Sequence, residues 1–133
     1  MSTMVEKIFS LKLGRSVSAG EYVVAPVDLA YFQDGTGPLG IDVFKKFEFT
    51  NSIFDKTKIH FFIDHASPAP RKDLANMHKK IRSFCRVSGA NLHDYGEGIS
   101  HQIIIEEYAK PGDIIVGADS HTCTCLLYTS DAA

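Results

Sequence analysis

Apolar runs of strand length alternate along the chain with amphipathic patterns of helical period. Residues 59–63 form a continuous apolar run, and residues 114–116 form a shorter one after a Pro-Gly turn signal. Residues 71–88 place apolar side chains at three- and four-residue steps, which predicts an amphipathic helix with Gly89 as its C-cap. The alternation favours the α/β class, a mostly parallel sheet with helices on both faces.

The first half of the chain predicts two further helices and one further strand. Residues 4–13 follow a capping-box spacing and carry apolar residues at helical intervals, so we expect a helix there. Residues 21–31 are rich in Val, Tyr and Leu and predict a strand that Pro26 weakens or places at an edge. A helix is expected to begin at Pro38 and to turn four apolar side chains inward: Leu39, Val43, Phe44 and Phe47.

The second half adds a short strand and one ambiguous segment. Residues 91–95 predict a short strand. Residues 103–105 are an apolar run that fits either a helix or a strand.

Polar residues follow the predicted strands at the points where the strands end. They are Gln33, Asp34, Asp64, His65, Asp119, Ser120 and His121, and His101 lies on a further loop that contains two glycines. Because the carboxyl ends of parallel strands meet at one edge of a sheet, we expect these side chains to converge. The other three histidines are interpreted as structural: His60, His78 and His93.

The expected site combines imidazole and carboxylate groups. An aspartate beside a histidine holds the ring and makes it more basic, which suits proton transfer near neutral pH. Serine hydrolysis is poorly supported, because the sequence contains no Gly-x-Ser-x-Gly. A divalent-metal hydrolase that uses the same His and Asp residues stays open, although neither His-x-His nor His-Glu-x-x-His occurs.

Composition and charge narrow the classes of partner. The 133 residues carry 14 Lys and Arg against 16 Asp and Glu, without a long run of like charge, so neither a nucleic-acid nor a membrane partner is expected. The sequence has no apolar stretch of membrane-spanning length and no signal-peptide pattern at its start, which favours a cytoplasmic protein. Three cysteines argue against a disulfide framework and for a reducing compartment.

At the strand-end residues the sequence resembles the aconitase family. The motifs that carry the resemblance are Gln33-Asp34-Gly35-Thr36-Gly37-Pro38, Asp64-His65, Gly96-Glu97-Gly98-Ile99-Ser100-His101-Gln102, Pro111-Gly112-Asp113 and Gly117-Ala118-Asp119-Ser120-His121-Thr122. Their order and spacing agree over nearly the whole chain. Residues 1–124 are therefore interpreted as a partial aconitase-like α/β domain, and residues 125–133 as a tail that does not match.

The resemblance implies a hydro-lyase that removes water from a hydroxy-di- or tricarboxylic acid and adds it back. The residues expected to act in catalysis are Asp64, His65, His101, Asp119 and His121, and those expected to bind substrate are Gln33 and Ser120. In the family, the Asp-His pair protonates the leaving hydroxyl and the other three catalytic residues surround an iron-bound water. Enzymes that act on 3-isopropylmalate, homocitrate, 2,3-dimethylmalate and citrate share these motifs. Of these substrates we expect 3-isopropylmalate, whose dehydration is a reaction of leucine biosynthesis.

The resemblance also implies a [4Fe-4S] cluster in the full-length parent, a serine base from a separate domain and a small subunit that supplies a swivelling domain. The family's cluster cysteines have no counterpart in this sequence, so we expect no metal ligands and no cluster within it. Cys85 is predicted to be a buried thiol, and Cys123 and Cys125 are predicted to be loop thiols. The chain is interpreted as an N-terminal fragment that is inactive alone, and a wholly non-catalytic fragment stays open as an alternative.

Overall fold

The computed structural model describes residues 2–47, 53 and 55–123, and its elements follow the expected alternation of helices and strands. The helices are α1 (Met4–Leu13), α2 (Gly37–Lys46), α3 (Lys72–Ser88) and α4 (Ser100–Ile103), and the strands are β1 (Leu29–Phe32), β2 (Ile59–Phe62), β3 (Asn91–His93) and β4 (Ile115–Gly117). A 3₁₀ turn, Lys56–Lys58, precedes β2, and α4 continues into a π-helical turn, Ile104–Tyr108. The predicted tail, residues 125–133, lies outside the described residues, as does Cys125.

The strands of the described residues form one parallel sheet in the order β3-β2-β1-β4. This arrangement confirms the predicted α/β class. The register places Phe32 of β1 opposite Phe61 of β2, and Tyr31 of β1 opposite Gly117 of β4. Because side chains alternate between the two faces of a strand, this register sorts the core residues into two layers.

The first layer lies between the sheet and the helices α2 and α3. Ile41 of α2, Phe61 of β2 and Ile81 of α3 are all almost completely buried there. The second layer lies on the opposite face, where Tyr31 and the fully buried Phe62 pack against the segment that begins with α4. Helices therefore cover both faces of the sheet, as the sequence predicts.

Two helices have the ends that the sequence predicts. Thr3 and Glu6 form a reciprocal capping box at the start of α1, and Gly14 ends that helix with φ of 64°. Gly89 ends α3 with φ of 78°, a left-handed conformation that glycine adopts without a steric penalty.

An ion pair connects α1 to the amino end of the sheet. The ammonium group of Lys12 lies 2.6 Å from the carboxylate of Asp28.

Two predictions about the first half are wrong. The strand predicted over residues 21–31 is confined to Leu29–Phe32, and Tyr22 and Val24 are almost fully exposed. Three of the side chains predicted to point inward from α2 and its C-cap are exposed, and the helix buries Gly37, Pro38 and Ile41 instead. The exposed three are Leu39, Val43 and Phe47.

Helix α2 approaches its neighbours most closely at two glycines. A Cβ at Gly37 would lie 3.1 Å from Ile81 Cδ1, and a Cβ at Gly40 would lie 2.6 Å from Phe32 Cε1. The side of α2 that packs against the sheet and α3 therefore carries glycines beside the buried Ile41. The hydrophobic period alone points to the wrong side, because it takes no account of this close approach.

The ambiguous segment over residues 103–105 is helical. No helix in the described part of the chain is both long enough and apolar enough to cross a membrane.

Candidate active site

The candidate site lies at the carboxyl edge of the sheet, where the strand order changes direction. From β1 the chain proceeds through α2, β2 and α3 to β3 on one side, whereas β4 pairs with the other side of β1. Ligands of open α/β sheets bind in the crevice outside the strand ends at such a switch point. The polar residues after β1 and β4 meet there, since Gln33 Nε2 lies 3.4 Å from Asp119 Oδ2.

Asp64 and His65 lie one residue beyond the end of β2 and form a hydrogen-bonded pair. His65 Nδ1 lies 2.9 Å from Asp64 Oδ1. The other carboxylate oxygen of Asp64 accepts a 2.7 Å hydrogen bond from the backbone N–H of Ser100, at the start of α4. The Asp64 side chain is only 4% exposed and that of His65 is 41% exposed, so the ring is the accessible member of the pair.

Asp119 is the centre on which the other imidazoles converge. Its carboxylate lies 3.3 Å from His65 Nε2, 3.2 Å from His101 Nε2 and 3.5 Å from His121 Nδ1. It also accepts a 2.7 Å hydrogen bond from the backbone N–H of His121. One buried carboxylate therefore connects the loops that follow β2 and β4 with the start of α4.

The electrostatics of the pair favour a protonated His65. Burial alone would lower the pKa of His65, but its hydrogen bond to Asp64 and the charges of Asp64, Asp119 and Asp34 outweigh burial and raise it. Burial would raise the pKa of Asp64, yet hydrogen bonds from His65 and Ser100 hold that pKa below its ordinary value. A cationic imidazole between two carboxylates can donate a proton, and it remains protonated above the pH at which a free histidine would lose its proton.

Asp119 is held in its ionised form. Burial would raise its pKa, but the hydrogen bond from the backbone of His121 and the charges of His101, His65 and His121 lower it. The Asp119 carboxylate can therefore orient the imidazoles of His101 and His121 without taking a proton itself.

Two predicted residues lie at the rim of the crevice. His121 is 73% exposed, and its Nδ1 lies 3.2 Å from Ser120 Oγ. Both residues are exposed to solvent at this edge of the sheet. The structure thus brings the seven predicted site residues to one edge of the sheet, and their individual roles stay predictions.

Sequence reasoning placed Asp34 among the converging residues but missed the hydrogen-bonded contacts that lie behind the site. Tyr31 donates its hydroxyl to Thr122 Oγ1 over 3.1 Å and lies 3.1 Å from His101 Nδ1. Burial raises the pKa of Tyr31, so the hydroxyl keeps its proton. Asp34 and His78 form a second pair, with Asp34 Oδ2 3.1 Å from His78 Nε2. For His78, the one signal in the sequence is a polar residue on the apolar stripe of α3.

The remaining two histidines form a buried pair away from the site. His60 lies within β2, and its Nδ1 is 3.0 Å from His93 Nε2 on β3. The rings stack at a centroid distance of 5.3 Å, and Tyr108 packs edge-on against His60. The structural interpretation of His60 and His93 agrees with this packing.

Two groups in the described residues bring potential ligand atoms within 4.8 Å of one another: His101, Asp119 and His121, and Asp34, Asp64 and His65. In the second group both Asp34 oxygens already accept hydrogen bonds, which leaves that carboxylate poorly placed to bind a cation. The first group opens to the crevice and is the better candidate for a cation.

The described cysteines do not fit an iron–sulfur cluster. Burial raises the pKa of Cys85 to about 11, and its thiol lies in the layer between the sheet and the helices α2 and α3. Cys123 follows β4 at the carboxyl edge of the sheet. A cluster needs several thiolates at one place, so the described residues supply no such site.

Fold and site together define a parallel α/β domain with a cluster of imidazole and carboxylate groups at the switch point of its sheet. Comparison with known families matches residues 6–126 to the Aconitase family (aconitate hydratase). The chain belongs to the aconitase family.

Known relatives carry names from one branch of that family. The chain is 54% identical over 122 residues to 3-isopropylmalate dehydratase large subunit 1 of Thermotoga maritima and 50% identical over 122 residues to the 3-isopropylmalate dehydratase large subunit of Elusimicrobium minutum. It is 48% identical over 122 residues to 3-isopropylmalate dehydratase large subunit 2 of Archaeoglobus fulgidus. Each alignment covers 92% of this chain but only 29% of the relative, so the chain spans less than a third of the length of these proteins.

Proposed function

We propose that this chain is part of the large subunit of a 3-isopropylmalate dehydratase, a hydro-lyase that interconverts 3-isopropylmalate and 2-isopropylmaleate. The observation that carries the proposal is the position of His65, which lies between Asp64 and Asp119 at 2.9 and 3.3 Å in a chain of the aconitase family. The names of the relatives, which agree on this enzyme, support the choice of substrate.

Dehydration needs a proton at the leaving oxygen, because hydroxide is a poor leaving group. His65 is the group suited to supply that proton, since its pKa is raised and its ring is the exposed member of the pair. When the C–O bond breaks, its electron pair stays on oxygen and the proton from His65 completes a water molecule. The proton of the neighbouring carbon goes to a base that lies outside the described residues. In the reverse direction His65 accepts a proton from the attacking water.

The other site residues orient the pair and the substrate. Asp119 holds His101 and His121 through the distances given above, and Tyr31 fixes the second nitrogen of His101. Gln33 and Ser120 stand at the crevice with side-chain groups that donate hydrogen bonds, as recognition of a hydroxy-dicarboxylate requires. Binding of the dicarboxylate would place its hydroxyl against His65.

The whole enzyme requires groups from beyond this chain. The [4Fe-4S] cluster that the family implies would have to be held by residues outside the described part. A partner small subunit, which the relatives' names imply, would supply a swivelling domain. The base for the carbon proton and the cationic groups for the substrate carboxylates would come from outside the described residues. A cytoplasmic location stays a prediction.

The test uses the full-length large subunit that contains this chain, purified anaerobically with its small subunit. Hydration of 2-isopropylmaleate should be measurable for the wild type. Asp64→Asn and His65→Gln should each lower kcat by ~10²- to 10⁴-fold, the usual contribution of a positioned acid–base group. Asp73→Asn is the matched control, because that carboxylate is 58% exposed on the first turn of α3 and pairs only with Arg71 in the described residues.

The pH profile supplies a second check. Because its neighbouring carboxylates raise the pKa of His65, the limb on which dehydration falls with rising pH should lie above the ordinary histidine pKa of about 6.5. Activity on homoaconitate, dimethylmaleate or cis-aconitate in place of 2-isopropylmaleate would move the assignment to another branch of the family. Unchanged kcat in Asp64→Asn and His65→Gln would refute the role given to the pair.

A divalent-metal hydrolase is the second candidate, and the spacing of His101, Asp119 and His121 within 4.8 Å favours it. Metal analysis of the same preparation separates the two candidates. Iron with sulfide supports the dehydratase, whereas stoichiometric zinc without sulfide, lost in His121→Gln, supports the hydrolase.

A further inference from the structure

Asp34 is a buried carboxylate that the proposed chemistry does not use. It follows β1 and is only 2% exposed. Its Oδ1 accepts a 3.1 Å hydrogen bond from the backbone N–H of His65, and its Oδ2 accepts a 2.7 Å bond from the backbone N–H of Ala66. The carboxylate thus closes the loop that carries Asp64 and His65 onto the end of β1.

His78 supports Asp34 from the opposite side. It lies on α3, is 4% exposed, and its Nε2 stands 3.1 Å from Asp34 Oδ2. A carboxylate only accepts hydrogen bonds, so the proton of this contact belongs to His78 Nε2. A buried charge is stable only when donors surround it, and the imidazole is the side-chain donor among the three that surround Asp34.

Asp34 does not take part in proton transfer with His65. Its Oδ1 is 3.8 Å from His65 Nδ1, whereas Asp64 Oδ1 is 2.9 Å from the same nitrogen. Both Asp34 oxygens are already committed to backbone N–H groups, and one of them also to His78. Its contacts are with the main chain of the loop, not with the reactive side of the ring.

We propose that Asp34 and His78 are positioning residues, a buried pair that fixes the backbone at His65 and Ala66 so that the His65 ring keeps Asp64 and Asp119 in reach at once. Helix α3 thereby sets the orientation of the acid–base pair without touching substrate. The structural part of this proposal is independent of the reaction, whereas its effect on rate rests on the proposed function.

The first experiment measures hydrogen exchange of the backbone amides of His65 and Ala66 in the 133-residue chain, relative to the amides of β2. His78→Leu removes the donor and should raise both relative rates about tenfold or more, since a hydrogen bond to a charged group is worth at least that factor. His78→Gln keeps an N–H donor and should change them less than about threefold. Ile81→Val, a truncation of a fully buried residue one turn further along α3, is the control for general loss of stability.

Normalisation to β2 distinguishes local from global effects, because a general loss of stability raises the exchange of all globally protected amides together. A selective increase at His65 and Ala66 in His78→Leu, absent in Ile81→Val, supports the positioning pair. Equal behaviour of His78→Leu and Ile81→Val would overturn it. Asp34→Asn, which retains one acceptor oxygen and a nearly identical shape, provides a second variant if His78→Leu fails to fold, and it should show the same selective increase.

The second experiment measures 2-isopropylmaleate hydration by the full-length subunit with its partner. His78→Leu should lower kcat about tenfold with KM nearly unchanged, and His78→Gln should recover most of the rate. Equal loss in the two His78 variants would contradict positioning through a hydrogen bond. If the wild type hydrates no substrate of this class, the proposed function fails, and the exchange experiment still decides whether the pair positions the loop.

Discussion

Acidification from pH 7 to pH 5 should destabilise this protein through His60. The His60 side chain is 1% exposed, its Nδ1 lies 3.0 Å from His93 Nε2, and the ring of Tyr108 closes over it at a centroid distance of 4.4 Å. Burial, together with the electrostatic effect of the neighbouring His93, lowers the pKa of His60 to about 4. Strand β2 thus holds a neutral imidazole in a place where the cation is strongly disfavoured.

The direction of the effect follows from proton binding in the two states. The unfolded chain takes up a proton at His60 near pH 6.5, whereas the folded protein does so only near pH 4. Between these values the unfolded state binds more protons, so the free energy of unfolding falls as the pH falls. For a pKa of about 4, the loss between pH 7 and pH 5 is about 2 kcal/mol, a large fraction of the stability of a small domain.

The assay is urea unfolding followed by far-UV circular dichroism at pH 7, 6 and 5. His60→Gln keeps hydrogen-bonding groups opposite His93 but cannot titrate. Its free energy of unfolding should therefore fall by about 2 kcal/mol less than that of the wild type between pH 7 and pH 5, whatever the stability of the variant at pH 7. Phe62→Leu, a truncation of a buried neighbour in β2, should lower stability by a similar amount at every pH. A decline from pH 7 to pH 5 that is the same in His60→Gln and wild type would refute the reasoning.

Two further substitutions test close packing and helix capping. Gly117→Ala would bring a Cβ to 2.5 Å from Tyr31 Cε1 and against Thr122 Oγ1, so it should lower the free energy of unfolding by about 1–3 kcal/mol, measured by urea denaturation. Thr3→Ala removes the side-chain oxygen that accepts a hydrogen bond from the Glu6 backbone N–H, so it should lower the free energy of unfolding by about 1 kcal/mol. The change should appear as a lower thermal midpoint. An unchanged midpoint would argue against a role for this cap in the folded domain.

The parts of the fold that the sequence predicts well are those decided by local patterns. Helix α3 has a regular apolar stripe and a glycine at the required left-handed position, and the helix ends where that glycine stands. The gathering of the site residues also follows from the sequence, because parallel strands bring their carboxyl ends to one edge whatever the strand order. No contact between distant residues had to be known for either prediction.

The parts that failed depend on tertiary contacts. The apolar residues before Leu29 have high strand propensity, but β1 forms its ladders with β2 and β4 only over the four residues Leu29–Phe32. Helix α2 packs through glycines at positions 37 and 40, because the side chains of Ile81 and Phe32 approach these positions too closely for a Cβ atom. Such approach between distant residues leaves no period in the sequence.

The buried polar pairs were missed for the same reason. Asp34 and His78 are 44 residues apart, and His60 and His93 are 33 residues apart. Each residue alone is an ordinary polar residue near a strand end or on a helix. Each pair forms its hydrogen bond only because the fold buries both members side by side, and the sequence alone does not show that contact.

The change of direction in the strand order explains why the aspartates after β1 and β4 have different tasks. The chain leaves β1 toward the face covered by α2 and α3, so Asp34 meets His78 of α3 and anchors backbone. The segment that begins with α4 packs on the other face and brings His101 to Asp119, beside the crevice. His65 is held by Asp34 through its backbone and by Asp119 through its ring, so the two faces of the sheet are coupled at this single residue. A disturbance of either face should therefore change the position of His65.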